Sequence, residues 1–112
     1  MNEFMLFIRE DVSRVETLSE EAFQAEIEEF TAWVEEMAKT GNFVSGDPLE
    51  STGRYILKDT ISSDGPFIES KEAISGYVII RAKDIEEAVS LAQKSPIFKY
   101  NGLIELRPIH KI

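Results

Sequence analysis

The most regular pattern of apolar and polar positions in the sequence lies between residues 19 and 40. Its apolar members recur at intervals of three or four positions: Phe23, Ile27, Phe30, Val34 and Met37. This spacing places them along one face of an α-helix, with the glutamates of the segment elsewhere on the surface. Thr17 and Ser19 are candidate N-caps, Thr17 standing in capping-box spacing with Glu20, and Gly41 is a stop signal. The pattern predicts a helix over 19–40.

Apolar runs too short for helices mark the strands. Residues 4–8 are all apolar and predict a central strand buried on both faces. A polar loop is expected over 10–18. Further strands are predicted at 43–46, 54–58, 74–82 and 103–107, with a turn at 49–53 between the first two of these.

A second helix is predicted over 84–95. Asp84 can cap its start, Glu87 follows in capping-box spacing, and Pro96 stands just past its end. The element order is then β-α-β-β-β-α-β, typical of a ferredoxin-like α+β fold with a mostly antiparallel sheet. We expect one domain over 1–112, with five strands in the sheet and both helices on one of its faces.

Helices on one face leave the other face of the sheet uncovered. The strands at 4–8 and 77–80 are too apolar to expose that face to water. The sequence therefore predicts a homodimer in which a second copy covers the face.

Charge and composition exclude several functions. The formal net charge of −9 argues against binding nucleic acid or an anionic membrane surface, since both require clustered Lys and Arg. Without cysteine there are no disulfides, thiol nucleophiles or Cys-based metal sites. His110 has no neighbouring His or Cys, so we expect no metal site. The sequence contains no phosphate-binding loop, so we expect no cofactor. The N-terminal segment lacks the features of a signal peptide or membrane span, and a cytoplasmic location is expected.

The densest motif is Asp64-Gly65-Pro66-Phe67, a strong turn signal followed by Glu69, Lys71, Glu72 and Gly76. Together with the opening strand, G-D-P-L at 46–49, D-I-E-E-A at 84–88 and the ending G-L-I-E-L-R-P at 102–108, the pattern resembles the YCII-related family in its DGPF-type branch. The resemblance spans nearly the whole chain.

The resemblance implies a dimeric α+β barrel with a cleft near the subunit boundary. A His/Asp pair lines that cleft in some members, and a few relatives act on small ring compounds as dehydrochlorinase- or isomerase-like enzymes. In this sequence Asn101 occupies the position where members often carry histidine. Asparagine can orient a ligand but cannot transfer a proton near neutral pH, which puts catalysis by that pair in doubt.

Five residues are candidates for the site: Asp64 as a catalytic acid, and Phe67, Tyr77, Asn101 and Arg107 as ligand-binding residues. Asp64 is either functional or a structural turn residue that bonds its own loop. Phe67 is either a wall of the cleft or part of the core. Arg107 and Glu105 share one face of their strand. They form either an inward pair that clamps a ligand or bridges an interface, or an outward pair that is exposed to solvent.

Other charged and aromatic residues also allow two interpretations. Glu69, Lys71 and Glu72 form either a ligand-binding group or a solvated cluster. Glu26, at the edge of the helical stripe, is either a desolvated base or a side chain extending to solvent. Trp33 belongs to the core or to a dimer contact.

Two functions remain open on this evidence. The first is a homodimer that binds a small organic ligand, as a cofactor-independent lyase- or isomerase-type enzyme acting by proton abstraction or elimination. The alternative is a non-catalytic ligand-sensing or protein-interaction module in which the DGPF turn is structural.

Overall fold

The protein is built on a four-stranded antiparallel sheet, seen in a computed structural model that describes residues 1–62 and 73–112. The strands are β1 (Asn2–Glu10), β2 (Phe43–Pro48), β3 (Tyr55–Ile56), β4 (Ile61–Ser62), β5 (Ala73–Ala82) and β6 (Leu103–Pro108). The helices are α1 (Val12–Glu16), α2 (Glu20–Lys39) and α3 (Ile85–Ala92), and a 3₁₀ helix spans Pro96–Tyr100. The predicted ferredoxin-like α+β fold is confirmed.

The opening strand is central, as its apolar run predicts. The order of the main sheet is β2-β5-β1-β6, and both neighbours of β1 are antiparallel to it. Leu6 lies opposite Val78 on one side and Leu106 on the other. The register therefore places alternate residues of three adjacent strands on the same face.

Both long helices pack on the same face of the sheet. The core joins Phe4, Leu6 and Ile8 of β1, Val78, Ile80 and Ala82 of β5, Trp33 and Met37 of α2, and Ala88 and Ala92 of α3. The indole Nε1 of Trp33 donates a hydrogen bond to the carbonyl oxygen of Leu91 at 3.0 Å. This bond links α2 to α3, and Trp33 belongs to the core.

The opposite face of the sheet, which we call the open face, carries Met5, Phe7, Tyr77 and Ile79. The register pairs Met5 with Ile79 and Phe7 with Tyr77, and all four are only half-buried. Burial of residues 4–8 on both faces is therefore not present within one protomer. The core residues lie on the helix face, whereas the open face has no covering element among the described residues.

The predicted polar loop at 10–18 contains the short helix α1. The Asp11 carboxylate caps it by accepting hydrogen bonds from the backbone amides of Ser13 and Arg14. Thr17 closes this helix and does not open the next one. Ser19 is the N-cap of α2, and its hydroxyl accepts from the Ala22 amide at 3.1 Å. The capping box predicted at Thr17 is thus wrong, while the helix itself is confirmed.

The predicted strand at 54–58 does not join the main sheet. Paired backbone hydrogen bonds between Leu57 and Thr60 close a tight turn, so β3 pairs locally with β4. Ile56 and Ile61 of this hairpin are 72% and 69% exposed. The main sheet therefore has four strands among the described residues, where five were expected.

The second helix begins as predicted but ends early. The Glu87 amide donates to Asp84 Oδ1 at 2.8 Å, which confirms Asp84 as the N-cap. The Glu87 carboxylate accepts from the amide of Lys83, one residue before the N-cap, so the reciprocal bond of a capping box is displaced by one position. The helix ends at Ala92. Ser95 then caps the 3₁₀ helix, an element that the sequence interpretation missed.

Candidate functional site

A cavity of about 540 Å³ lies between the helix face of the sheet and α2. Its walls are mainly apolar and include Val12 and Val15 of α1, Phe23, Ile27, Phe30 and Val34 of α2, and Ile8 of β1. Much of the predicted helical stripe therefore lines a cavity, because Phe23 and Ile27 lie at the end of α2 away from the buried Trp33 and Met37. The volume falls in the range typical of small-molecule sites.

One wall of the cavity carries a cluster of charged side chains. Arg14 donates to both carboxylate oxygens of Glu26, at 2.9 and 3.0 Å, and reaches Glu10 at 3.4 Å. The side chains of Glu10 and Glu26 are only 14% and 18% exposed. The hydrogen bond to Glu26 raises the pKa of the Arg14 guanidinium, so this group is cationic throughout the accessible pH range. We call Glu10, Arg14 and Glu26 the charged cluster.

A β-bulge brings a hydroxyl to the charged cluster. Ile8 lies opposite Gly76 and Arg9 opposite Ile74, so Ser75 is the extra residue in β5. Its Oγ donates to Glu10 Oε2 at 2.5 Å. Bulges of this kind redirect one side chain out of the regular alternation, which here places Ser75 against the carboxylate.

Tyr100, at the end of the 3₁₀ helix, connects the charged cluster to the surface. The guanidinium of Arg14 lies 4.8 Å from the centroid of its ring, a cation–π contact. The phenol hydroxyl donates to Glu29, which also bonds Lys99. The Glu29 carboxylate raises the pKa of Tyr100, so its hydroxyl remains a donor at neutral pH.

Tyr77, a predicted ligand-binding residue, lies on the open face and not in the cavity. Its hydroxyl donates to Asp47 Oδ2 at 3.1 Å, and this hydrogen bond raises the pKa of Tyr77. Arg107 is exposed on the same face, opposite Met5 in the register. Its neighbour Glu105 accepts from Arg9 at 3.0 Å. The structure thus brings Tyr77 and Arg107 to one face.

Asn101 lies apart from these two residues. It ends the 3₁₀ helix with a positive φ of 61°. It is exposed and lies two positions before the start of β6. Arg107 stands near the other end of that strand. Within one protomer the structure does not bring Asn101 and Arg107 together, and their ligand-binding roles stay predictions.

The DGPF segment lies outside the described residues, which end at 62 and resume at 73. Asp64 and Phe67, and the group of Glu69, Lys71 and Glu72, therefore keep both interpretations given above. Glu26 turns towards the cavity and bonds Arg14 instead of extending to solvent. His110 is exposed and lies two positions after the end of β6 at Pro108.

Comparison with known proteins identifies the family. The YCII-related domain matches residues 3–112. The chain belongs to the YCII-related family. None of the curated proteins compared with it gives a significant match. Among the described residues no helix has the length and apolar character to cross a membrane, and no three His, Cys, Asp or Glu side chains are grouped to hold a metal ion.

The sequence interpretation missed Glu10, Ser75 and Tyr100 as lining residues of this YCII-related protein's cavity, and it missed Arg14 as the partner of two of the lining acids. One signal was available, because Asp11 in N-cap position before Val12 and Val15 indicates a short helix that buries its apolar side. Ser75 gave no such signal. A bulge depends on pairing between distant strands and is not encoded by a local pattern.

Proposed function

We propose that this YCII-related protein binds a small, mostly apolar organic molecule in the cavity between the sheet and α2. The observation that carries the proposal is the cavity itself, whose apolar walls converge on the polar groups of Glu10, Glu26, Ser75 and Tyr100. Apolar walls supply most of the affinity in such sites, and a few fixed polar groups orient the ligand. The charged cluster holds these groups in place before a ligand arrives.

Glu10 is the residue best placed for chemistry on that ligand. It lines the cavity, and Arg14 approaches it at 3.4 Å while bonding Glu26 more closely. A carboxylate can accept a proton from an acidic C–H bond of the ligand. In a β,γ-unsaturated ketone the electron pair of that bond moves into the carbonyl to form a dienolate. Return of the proton to the γ-carbon then shifts the double bond into conjugation and completes an isomerisation without a cofactor.

The alternative is ligand binding without catalysis, and one observation favours it. Both oxygens of Glu10 are already engaged, one by Arg14 and the other by Ser75. In this alternative the carboxylate fixes α1 against the sheet, shapes the cavity wall and orients a ligand without taking a proton from it.

The proposal also includes a homodimer formed through the open face of the sheet. Met5, Phe7 and Ile79 are apolar residues on that face, and a partner would remove them from water. Tyr77 and Arg107 would then lie at the subunit boundary, where the sequence interpretation expects a ligand cleft.

Binding is tested by filling the cavity. Ile27 lines the cavity from α2 and is 38% exposed, so Ile27→Trp fills it without replacing a core residue. Gln24→Trp is the matched control, because Gln24 is exposed on the same helix and does not line the cavity. The measurement is ligand-detected NMR and thermal shift with a panel of ring alcohols, ketones and amines.

The expected result is that hits for the wild type and Gln24→Trp are lost in Ile27→Trp. Hits that survive in the Ile27→Trp variant would place binding elsewhere. Catalysis is tested with 2-tetralone in D₂O, since its α-protons are acidic. Protein-dependent deuterium incorporation that vanishes in Glu10→Gln supports proton transfer, whereas binding without incorporation supports the non-catalytic alternative.

A further inference from the structure

The acids of the cavity wall face the cavity, but their cation does not. Glu10 and Glu26 line the cavity, whereas Arg14 stands behind them, with its guanidinium over Tyr100. Among the described residues the lining includes four glutamates and no lysine or arginine; the other two glutamates are Glu16 and Glu50. A ligand in the cavity therefore meets carboxylate oxygens and not the guanidinium.

Among the described residues, the charges of this wall do not balance. Two carboxylates share one guanidinium, and Arg14 bonds Glu26 at 2.9 and 3.0 Å but Glu10 only at 3.4 Å. The second oxygen of Glu10 is bonded by Ser75, which is neutral. The charged cluster thus retains one net negative charge, and its two carboxylate side chains are less than a fifth exposed. Partial burial strengthens its attraction for an opposite charge.

The rest of the wall suits an organic cation. Phe23, Phe30 and Tyr100 all line the cavity, and aromatic rings attract cations through their faces. Aliphatic side chains such as Ile8, Ile27 and Val34 also line the cavity and accommodate a hydrocarbon body. The ligand that matches this wall therefore has an apolar skeleton with one positively charged end.

We infer that the ligand of this cavity is an apolar amine, whose ammonium group bonds Glu10 of the charged cluster while its hydrocarbon body lies against Phe23 and Phe30. This inference rests on the proposed function and adds the chemical class of the ligand to it. The ammonium supplies the cation that the cluster lacks, and its three donors match the carboxylate and hydroxyl oxygens at that end.

The test compares three probes of nearly equal shape: 2-naphthylmethylamine, 2-naphthylmethanol and 2-naphthoate. Their affinities for the wild type are measured by fluorescence titration at 0.15 M salt, where fields from distant surface charges are screened over about 8 Å. We expect the amine to bind at least about tenfold more tightly than the alcohol, as one partly desolvated ion pair allows. Naphthoate is expected to bind most weakly.

Two variants separate the cavity wall from the overall charge of −9. Glu10→Gln removes the excess charge but keeps the bonds between Arg14 and Glu26, and it should reduce the amine's advantage over the alcohol to about threefold or less. Glu28→Gln changes the net charge equally at an exposed position outside the cavity and should leave the advantage intact.

The outcomes are distinct. Binding of the alcohol with equal or greater affinity than the amine overturns the inference and leaves the proposed function standing. Binding of none of the three probes overturns both. If the preference for the amine survives in Glu10→Gln, that preference comes from the overall charge of the protein and not from Glu10. This result also overturns the inference.

Discussion

Arg14 and Glu26 form a two-pronged ion pair, with both guanidinium donors within 3.0 Å of the two carboxylate oxygens. The pair joins two helices, since Arg14 belongs to α1 and Glu26 to α2. Bidentate pairs of this geometry are the strongest ionic contacts that arginine makes. This bond therefore fixes Glu26 in the cavity wall as well as the position of α1.

Removing the guanidinium should destabilise the protein. Arg14→Ala leaves the partly buried carboxylates of Glu26 and Glu10 without a cation, which we expect to lower the free energy of unfolding by about 1–3 kcal/mol, between the values for exposed and buried pairs. Urea denaturation measures this loss. The control is Lys39→Ala, whose partner Glu36 is exposed, and its cost should stay below about 0.5 kcal/mol. Equal costs for the two variants would show that the Arg14 pair contributes nothing special.

Trp33 should be more sensitive to substitution than its mostly apolar surroundings suggest. Trp33→Phe removes the Nε1 donor, leaves the Leu91 carbonyl without it and vacates the space of the larger ring. We expect a loss of about 2–3 kcal/mol in the free energy of unfolding. Phe98→Leu, at a side chain 44% exposed, serves as control and should cost less than about 1 kcal/mol. A Trp33→Phe variant as stable as the control would contradict the role of this bond.

The elements that the sequence predicted well are those whose signals are local. The stripe from Phe23 to Met37 and the capping pair Asp84 and Glu87 define α2 and α3 without reference to the rest of the chain. The prediction that 54–58 joins the main sheet was wrong, because the apolar residues of this segment indicate an extended conformation but not which strand it pairs with. The turn between Leu57 and Thr60 decides the pairing, and β3 meets β4 instead of the main sheet.

The candidate site was less predictable than the fold, since it depends on distant contacts. Glu10 acquires its place from a bulge at Ser75, 65 positions away, and Arg14 from Glu26 and Tyr100. None of these pairings leaves a local pattern. Glu26 is a partial exception, because its position at the edge of the apolar stripe allowed a partly buried carboxylate as one of two interpretations.

Acid should weaken the link between α2 and the 3₁₀ helix. Hydrogen bonds from Lys99 and Tyr100 hold the pKa of Glu29 below its usual value of 4.5. A lowered folded-state pKa stabilises the protein above 4.5, and this contribution is lost as the pH falls below 4.5. We therefore expect the melting temperature of Glu29→Gln to fall less between pH 6 and pH 3 than that of the wild type. Glu28→Gln, on the exposed neighbour, is the control. Identical losses in wild type and Glu29→Gln would refute this linkage.

Asp64 can be tested without knowing where its side chain lies. If the DGPF turn is structural, Asp64→Ala removes an acceptor from its own loop and should lower the free energy of unfolding by about 1–3 kcal/mol. If Asp64 instead faces a ligand, the variant should be as stable as the wild type or more so. A thermal melt distinguishes the two, and we expect a drop. An unchanged melting temperature would direct the search for chemistry to Asp64.

The open face gives the last prediction. Phe7 lies between Tyr77 of β5 and Glu105 of β6 in the register, near the middle of the face that the helices leave uncovered. A stable dimer buries about 800 Å² on each partner, and a charge at its centre would have to be desolvated without a partner. We expect light scattering to give a dimeric mass for the wild type at micromolar concentration and a monomeric mass for Phe7→Glu. Val89→Glu, which places the same charge on the exposed surface of α3, should remain dimeric. A monomeric wild type would remove the dimer from the proposal, and a dimeric Phe7→Glu would move the interface away from this face of the sheet.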